Sequence, residues 1–484
     1  GDGSNLTGIA ATNWIANNVT ANSSTTTVDL SLGNVVKFTQ SADTTVSFAN
    51  TGTSNIVSFI RIKDSNATER TLTWPSSIKW NGGSAPTLVP INVGGEEYNQ
   101  ITLLTRDEGV TWYGWENGSI NRKTGQLYVW GNNDRGQLGQ NNATLYSSPV
   151  QVPGAWNEVM TGGVADQHHA GATKADGTLW TWGENQQGEL GDNTTVRKSS
   201  PVQIPGTTWW ASGDKNHVIG GYGVTKMIKS DGTLWQWGYN AYGILATGNT
   251  ENHSSPVQVP GTTWKAISGN LICGVATKTD GTLWAWGHNE FGALGMSNLT
   301  DYNSPVQVGS DTTWDRPVMG AGQFSNGAFK TDGTLWTWGR NETGMLGLNN
   351  QTTYSSPKQV GSDTTWRSCC MAAGESGMIA TKTDGTLWTW GASGDGQLGL
   401  NNGNQYSSPK QVPGSWSDQV WMQGFTSLAI KTDGTLWSWG RNQYGRLGIN
   451  DTTSYSSPKQ IGSNTNWIRV GGGGGSWSGA IAEI

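Results

Sequence analysis

The sequence predicts an all-β protein: a seven-bladed β-propeller closed by a blade shared between the chain's two ends, preceded by a small β-sandwich. Three observations predict it. A Trp-Gly step recurs at Trp130, Trp182, Trp237, Trp286, Trp338, Trp390 and Trp439, spaced by 52, 55, 49, 52, 52 and 49 residues. A period of about 50 residues around a strand-forming core marks an array of blades. The first repeat lacks its early strands, and the residues from Trp467 onward supply them. Residues 1–118 lack the phrase and set short β runs between Gly, Asn and Ser turns, which leaves 119–484 for the propeller.

One blade can be read between Trp366 and Val412. Met378–Lys382 and Thr386–Trp390 are β-prone runs joined through Asp384-Gly385. Asp-Gly between such runs predicts a type I′ hairpin, because that turn needs positive φ and Gly adopts it freely. Trp388 and Trp390 face one side, Leu387 and Thr389 the other, so the strand carries bulk on both sides. That suits a strand held between two neighbouring blades. The loop Gly396-Gln397-Leu398-Gly399 follows, with counterparts at Gly136–Gly139, Gly188–Gly191, Gly344–Gly347 and Gly445–Gly448. Its Leu reads as a plug between glycines that let the backbone turn sharply. Ser408-Pro409 then introduces an outer strand, where proline is tolerated. A leading strand starts from a repeat-opening Trp at Trp156, Trp264, Trp314, Trp366, Trp416 and Trp467. Four short antiparallel strands per repeat make a blade.

The two ends complement each other. Gly125–Gly131 is a third-strand phrase without the strands that should precede it, and Trp467–Val470 and Ser478–Ala482 are a first and second strand without a third. Joined, they complete the ring and remove its open edges. Within residues 1–118, the β runs include Val35–Thr39, Thr44–Phe48, Ile56–Lys63 and Ile101–Thr105, and Asn117-Gly118 reads as a short hinge into the first blade.

Composition narrows the chemistry. Charged residues make up 13 % of the 484 and the net charge is −6, so the basic footprint that nucleic acid requires is not visible. No apolar run approaches the roughly 18 residues of a membrane span. Cys273, Cys369 and Cys370 have no metal-ligand or disulfide spacing. No signal peptide is visible, and a start at Gly1 without Met fits processing, a fragment or further residues upstream. The reading is of a chain assembled in the cytosol that later works outside.

The repeat, fullest as Lys330-Thr331-Asp332-Gly333-Thr334-Leu335-Trp336-Thr337-Trp338-Gly339, resembles the regulator of chromosome condensation repeat family over about residues 121–484. The resemblance implies a seven-bladed propeller that mostly serves as a protein-binding scaffold. The family includes a guanine-nucleotide exchange factor, ubiquitin-ligase modules and a secreted β-lactamase inhibitor, and fold alone confers none of these roles. The opening Gly1–Ile9 resembles a segment common in bacteriophage tail-fibre and virion proteins. Val28–Val35, Thr71–Pro75, Ile78–Trp80 and Val110–Trp115 are similar to a β-rich domain of marine phage structural proteins.

Catalytic and metal constellations are not visible. His168, His169, His217, His253 and His288 fall at non-equivalent places, and the adjacent His168-His169 pair would point to opposite faces of a strand. Asp176, Asp231, Asp280, Asp332, Asp384 and Asp433 recur once per blade, too far apart to share an ion, and read as turn residues. Of the 28 Trp, Trp421 departs from the repeat pattern. Three residues before each Ser-Pro proline stand Tyr146, Lys198, His253, Tyr302, Tyr354, Tyr406 and Tyr455. As a crown of amphipathic side chains they suit glycan stacking or protein contact. Alternatively, each tyrosine packs on its own loop. The longest repeat adds Asp214–His217 and Gly220–Gly223, an irregularity where specificity often sits.

The resemblances imply a non-enzymatic virion protein without cofactor or metal, a tail fibre or similar appendage. Its N-terminal domain would hold other virion proteins, and its propeller would attach to a host-surface glycan or protein. A homotrimer is common among fibres, although no trimerisation heptad is present. Capsid decoration, or a secreted or cell-surface bacterial adhesin or inhibitor, are the alternatives. A glycan depolymerase is disfavoured by the lack of paired carboxylates.

Overall fold

A computed structural model describes residues 16–32, 35–40, 42–50, 55–63, 72–80, 98–105, 111–120, 124–162, 168–209, 218–221, 223–269, 272–318, 324–371, 377–473 and 477–483. The chain divides into two compact units, Gly1–Lys123 and Thr124–Ile484. The opening Gly1–Ile9 segment, Trp14, Trp210, Asp214–His217 and Tyr222 lie outside the described residues.

In the first unit the chain alternates between two sheets. Ala16–Ala21, Val35–Gln40 and Asn55–Lys63 lie side by side in parallel. Thr25–Asp29, Thr44–Ala49 and Leu72–Thr73 do the same in a three-stranded sheet. Parallel neighbours need a crossover, and each sheet supplies the crossover of the other. Tyr98–Thr105 and Trp112–Ile120 then add antiparallel strands, and Ile78–Trp80 closes the six-stranded sheet. Val28, Val36, Phe38, Val46, Val57 and Leu103 share one buried cluster. Asn117-Gly118 is a bulge: Trp112–Ile120 runs through it, with a register shift between Gln100↔Gly118 and Ile101↔Glu116. The 118/119 boundary therefore falls inside a strand.

The second unit is a seven-bladed propeller. Blades 2 to 7 occupy residues 158–204, 218–259, 264–307, 314–359, 366–412 and 416–460, each with four antiparallel strands in sequence order. Blade 1 joins the ends: Trp467–Gly473, Trp477–Glu483, Gly125–Gly131 and Tyr146–Trp156 are neighbours in that order. Gly125↔Glu483 through Gly131↔Trp477 pair without a break. First strands meet at the centre, where Thr161 of the short strand Thr161–Gly162 pairs with both Gly472 and Ile219.

Strand alternation sends each blade's two faces to its two neighbours. Trp366, Met378 and Trp390 join Leu335, Leu346 and Val360 of blade 5 in one buried cluster, with Trp388 packed against it. Leu387, Leu398 and Val412 join Trp416 and Leu436 of blade 7 in another. Trp421, which departs from the repeat pattern, is buried in that second cluster.

Two local expectations are corrected. The Asp-Gly loops are not type I′ turns, because only the glycine of each pair has positive φ, between 76° and 80°. Gly333 N donates to Lys330 O and Lys330 N to Thr334 O. This is a three-residue loop whose left-handed Gly follows an ordinary turn. Nor does Ser-Pro open the outer strand. The strand begins earlier, at Tyr406, and Pro409 sits where the register shifts between Thr389↔Lys410 and Gly391↔Tyr406, so its missing N–H costs no ladder bond.

Candidate recognition site

Each blade fixes its loops by a chain of local bonds that starts at the Asp-Gly turn. Asp384 Oδ1 accepts from Thr386 N (3.0 Å) and Oγ1 (2.7 Å), and Thr386 Oγ1 accepts from Trp388 Nε1 (2.8 Å). Hydrogen bonds from Thr386 hold the Asp384 carboxyl below its usual range. The Lys382 ammonium lies 4.7 and 4.2 Å from the ring centroids of Trp366 and Trp388. The same Lys-between-Trp stack recurs at Lys174, Lys229, Lys278, Lys330 and Lys431. The six aspartates are thus turn caps, one in each of blades 2 to 7.

Blades are tied to one another by the Trp of each Trp-Gly step. Its Nε1 donates to a carbonyl in the preceding blade's Leu-plug loop, as from Trp182 to Gln137 (2.8 Å), Trp390 to Met345 (2.9 Å) and Trp439 to Gln397 (2.8 Å). Trp130 closes the circle onto Arg446 O at 2.9 Å. The loop's second glycine lies against that ring: a Cβ on Gly347 would stand 2.7 Å from Trp390 Nε1, and its φ is +73°. The plug and the close approach are one device.

Sequence reasoning missed a buried asparagine behind each plug. Asn341 Oδ1 accepts from Leu346 N (2.9 Å), and its Nδ2 donates to Asn350 O and Thr352 O (3.1 Å each). Asn133, Asn185, Asn240, Asn289 and Asn442 do equivalent work. Trp-Gly-x-Asn was the available signal. Blade 6 has Ser393 there, which makes one long bond to Asn402 O (3.5 Å).

The crown positions occupy equivalent places, each opening an outer strand opposite the Gly of Trp-Gly: Tyr146, Lys198, His253, Tyr302, Tyr354, Tyr406 and Tyr455. All seven are half-buried. The hydroxyls of Tyr146, Tyr302, Tyr354 and Tyr406 accept from Asn142, Asn298, Asn350 and Asn402 at 3.2 to 3.4 Å. Tyr455 Oη donates to Asp451, and Lys198 lies 3.9 Å from Asp192. Six of these side chains are thus tied to their own loops, whereas His253 Nε2 is buried without a hydrogen-bond partner among the described residues.

The loops themselves are not equivalent. The residue after each Trp-Gly is Asn132, Glu184, Tyr239, His288, Arg340, Ala392 or Arg441. In blades 3 to 5 this end of the ring is aromatic: Tyr242 meets His288 with centroids 4.7 Å apart, and Phe291 meets Phe324 at 5.1 Å. Arg340 lies 4.8 Å from the Phe291 ring and pairs with Glu342. In blades 1 and 2 it is charged: Glu184 pairs with Arg197 (2.9 Å) and Arg135 (3.6 Å). Phe291 and Tyr444 hold φ of 60° and 66°, a left-handed conformation that bulky side chains rarely adopt.

The regulator of chromosome condensation (RCC1) repeat profile matches residues 124–165, 176–212, 231–269, 280–319, 332–380, 384–421 and 433–476. The chain belongs to this family. It is 27 % identical over 294 residues to the E3 ubiquitin-protein ligase HERC2 of Homo sapiens, covering 60 % of this chain and 5 % of HERC2. It is 25 % identical over 291 residues to the ultraviolet-B receptor UVR8 of Arabidopsis thaliana, covering 59 % of this chain and 65 % of UVR8. Its fold is similar to Prp20p of Saccharomyces cerevisiae, with a TM-score of 0.65, 18 % identity, and coverage of 75 % of this chain and 93 % of the other.

The ionisable groups buried in this RCC1-repeat ring belong to its walls. His169 donates or accepts at Thr225 Oγ1 (3.0 Å), and burial, aided by the neighbouring His168, pushes its pKa down to about 3. His168 turns the other way, toward Asp134 (3.7 Å). Lys226 Nζ donates to Cys273 O (2.7 Å), and burial lowers its pKa to about 8. Burial raises the Cys370 thiol to about 12 and Cys369 well above its ordinary value. Among the described residues no three His, Cys, Asp or Glu side chains gather to hold a metal ion.

Proposed function

We propose that this RCC1-repeat protein is a non-enzymatic recognition component of a phage virion, a tail fibre or similar appendage. Its N-terminal domain, a small β-sandwich, attaches to other virion proteins, and the propeller presents its loops to a host-surface glycan or protein. One observation carries the recognition role. The same Trp-to-carbonyl bond ties the blades together, while six different residue types follow the seven Trp-Gly steps. A uniform frame with diversified loops is the design of a binding scaffold. The virion assignment is supported by the resemblance of Val28–Val35 and Val110–Trp115 to phage structural proteins.

A second reading, a cellular protein-binding module, is favoured by the family, since yeast RCC1 (Prp20) has been crystallised bound to Kap60. Electron microscopy of purified particles with antibody to residues 124–484 separates the two. Labelled appendages or capsids are expected. Labelling confined to the surface of uninfected cells would end the virion reading.

A further inference from the structure

Around the rim, the junctions of adjacent blades leave recesses of one design. They include open cavities of about 370 Å³ between blades 5 and 6 and about 580 Å³ between blades 6 and 7. The first is lined by Trp366, Trp388, Lys382, Asp363, Asn349 and Gln359, among others.

Three features of this recess point to its occupant. The Trp366 indole N–H is buried and has no acceptor among the described residues. A buried donor left unpaired costs about 1–3 kcal/mol, so an oxygen from outside the chain would satisfy it. Trp416, at the next junction, instead donates to Pro413 O. Next, Lys382 and Asp363 form an ion pair (2.9 Å) at the mouth, which offers both donors and acceptors with no net charge. Finally, Lys382 lies over both indoles, 4.7 and 4.2 Å from their ring centroids, so the ring faces are already covered and the recess offers polar groups beside a buried indole. An anion would face the Asp363 carboxylate, and a purely apolar ligand would strand Asn349, Gln359 and the ion pair.

We propose that the Trp366 recess binds a neutral pyranose unit of a polysaccharide, hydrogen-bonded to the unpaired indole N–H and to the polar rim. The junction between blades 4 and 5 repeats the same three features. Trp314 Nε1 is buried without an acceptor among the described residues, Lys330 pairs with Asp311 (2.5 Å), and Lys330 lies over Trp314 and Trp336. Two equivalent subsites on neighbouring blades engage two units of one polymer, which raises avidity without any new contact type. The proposal rests on the reading of the propeller as a recognition scaffold and gives that scaffold its ligand class.

The test is binding of the full chain to a printed array of neutral and uronic-acid oligosaccharides, alongside adsorption to host cells. Neutral hexose oligomers are expected to be retained. The double variant Asp363→Ala/Gln359→Ala is expected to weaken them by about tenfold. Trp366→Phe removes the orphan N–H at the expense of a smaller ring in a buried cluster, so the melting temperature should fall modestly and sugar binding at a temperature well below it should weaken. A merely structural Trp366 would show no change in binding. A silent array with intact cell adsorption overturns the sugar recess and leaves the scaffold standing. Loss of both overturns the scaffold as well. Retention of uronic acids alone, or capture of a proline-rich peptide probe that Asp363→Ala/Gln359→Ala abolishes, also overturns it.

Discussion

His169 and Lys226 bring opposite ends of the pH scale to bear on the same ring. The folded state holds His169 at about 3 against an ordinary 6.5, so the unfolded chain binds the extra proton. Stability is therefore complete above pH 6.5 and is lost as the pH falls toward 3. Lys226 is held at about 8 against 10.5, so its burial costs stability below pH 8, and that cost fades as the pH rises to 10.5. Denaturant midpoints measured across pH should show both slopes. His169→Gln should flatten the acid one and Lys226→Met the alkaline one, with Lys226→Met also more stable at pH 7. The buried asparagines make a second residue-scale test. Asn341→Ala is expected to cost about 1–3 kcal/mol by stranding buried backbone groups, and Ser393→Asn to gain up to about 1 kcal/mol by restoring the missing set; thermal melting reads both. These asparagines escaped sequence reasoning because a polar residue inside a polar loop looks solvent-facing until a backbone closes over it. The Asp-Gly turns were legible as hairpins, but their type was not. Thr386 and its equivalents bond the aspartate's carboxylate and keep its φ negative, leaving only glycine left-handed.

At the level of the element, the blade was nearly complete in its sequence. Period, Trp alternation and Leu plug each matched a strand or loop, because strand burial on both sides forces a strict two-residue pattern. What the pattern hid was reach between blades. Gly347 looks like a turn glycine, yet it also makes room for Trp390 of the next blade. Gly347→Ala is expected to lower stability by about 1–3 kcal/mol, and Trp390→Phe by about 1 kcal/mol through the lost bond to Met345 O. If chemical denaturation finds Gly347→Ala neutral, the glycine serves only the turn. The N-terminal unit was legible as strands but not as pairings, since period-two patterning does not say whether the next strand returns in parallel or antiparallel. Its parallel winding from Ala16–Ala21 to Asn55–Lys63 came from the structure alone. In the candidate site, the crown's positions were legible and equivalent, whereas the aromatic sector of Tyr242, Phe291 and Phe324 was not. It exists only where three blades' loops meet.

For the whole molecule, the ring is what turns local bonds into a rigid scaffold. Each blade leans on the next, and Gly125–Gly131 pairs with Trp477–Glu483 across the full length of the chain's propeller. Without that pairing blade 1 loses its two inner strands, Trp130 and Arg446 lose their fixed relation, and two edges open. Recognition would fail with the frame, since the loops are held by inter-blade bonds. The direct measurement is calorimetric unfolding of the full chain beside a chain ending at Gly473. Closure predicts a single cooperative transition in the full chain, and in the shortened one a much lower melting temperature with hydrogen-exchange protection lost well beyond blade 1. A shortened chain that melts like the full one, with Gly125–Gly131 still protected, would contradict the closed ring.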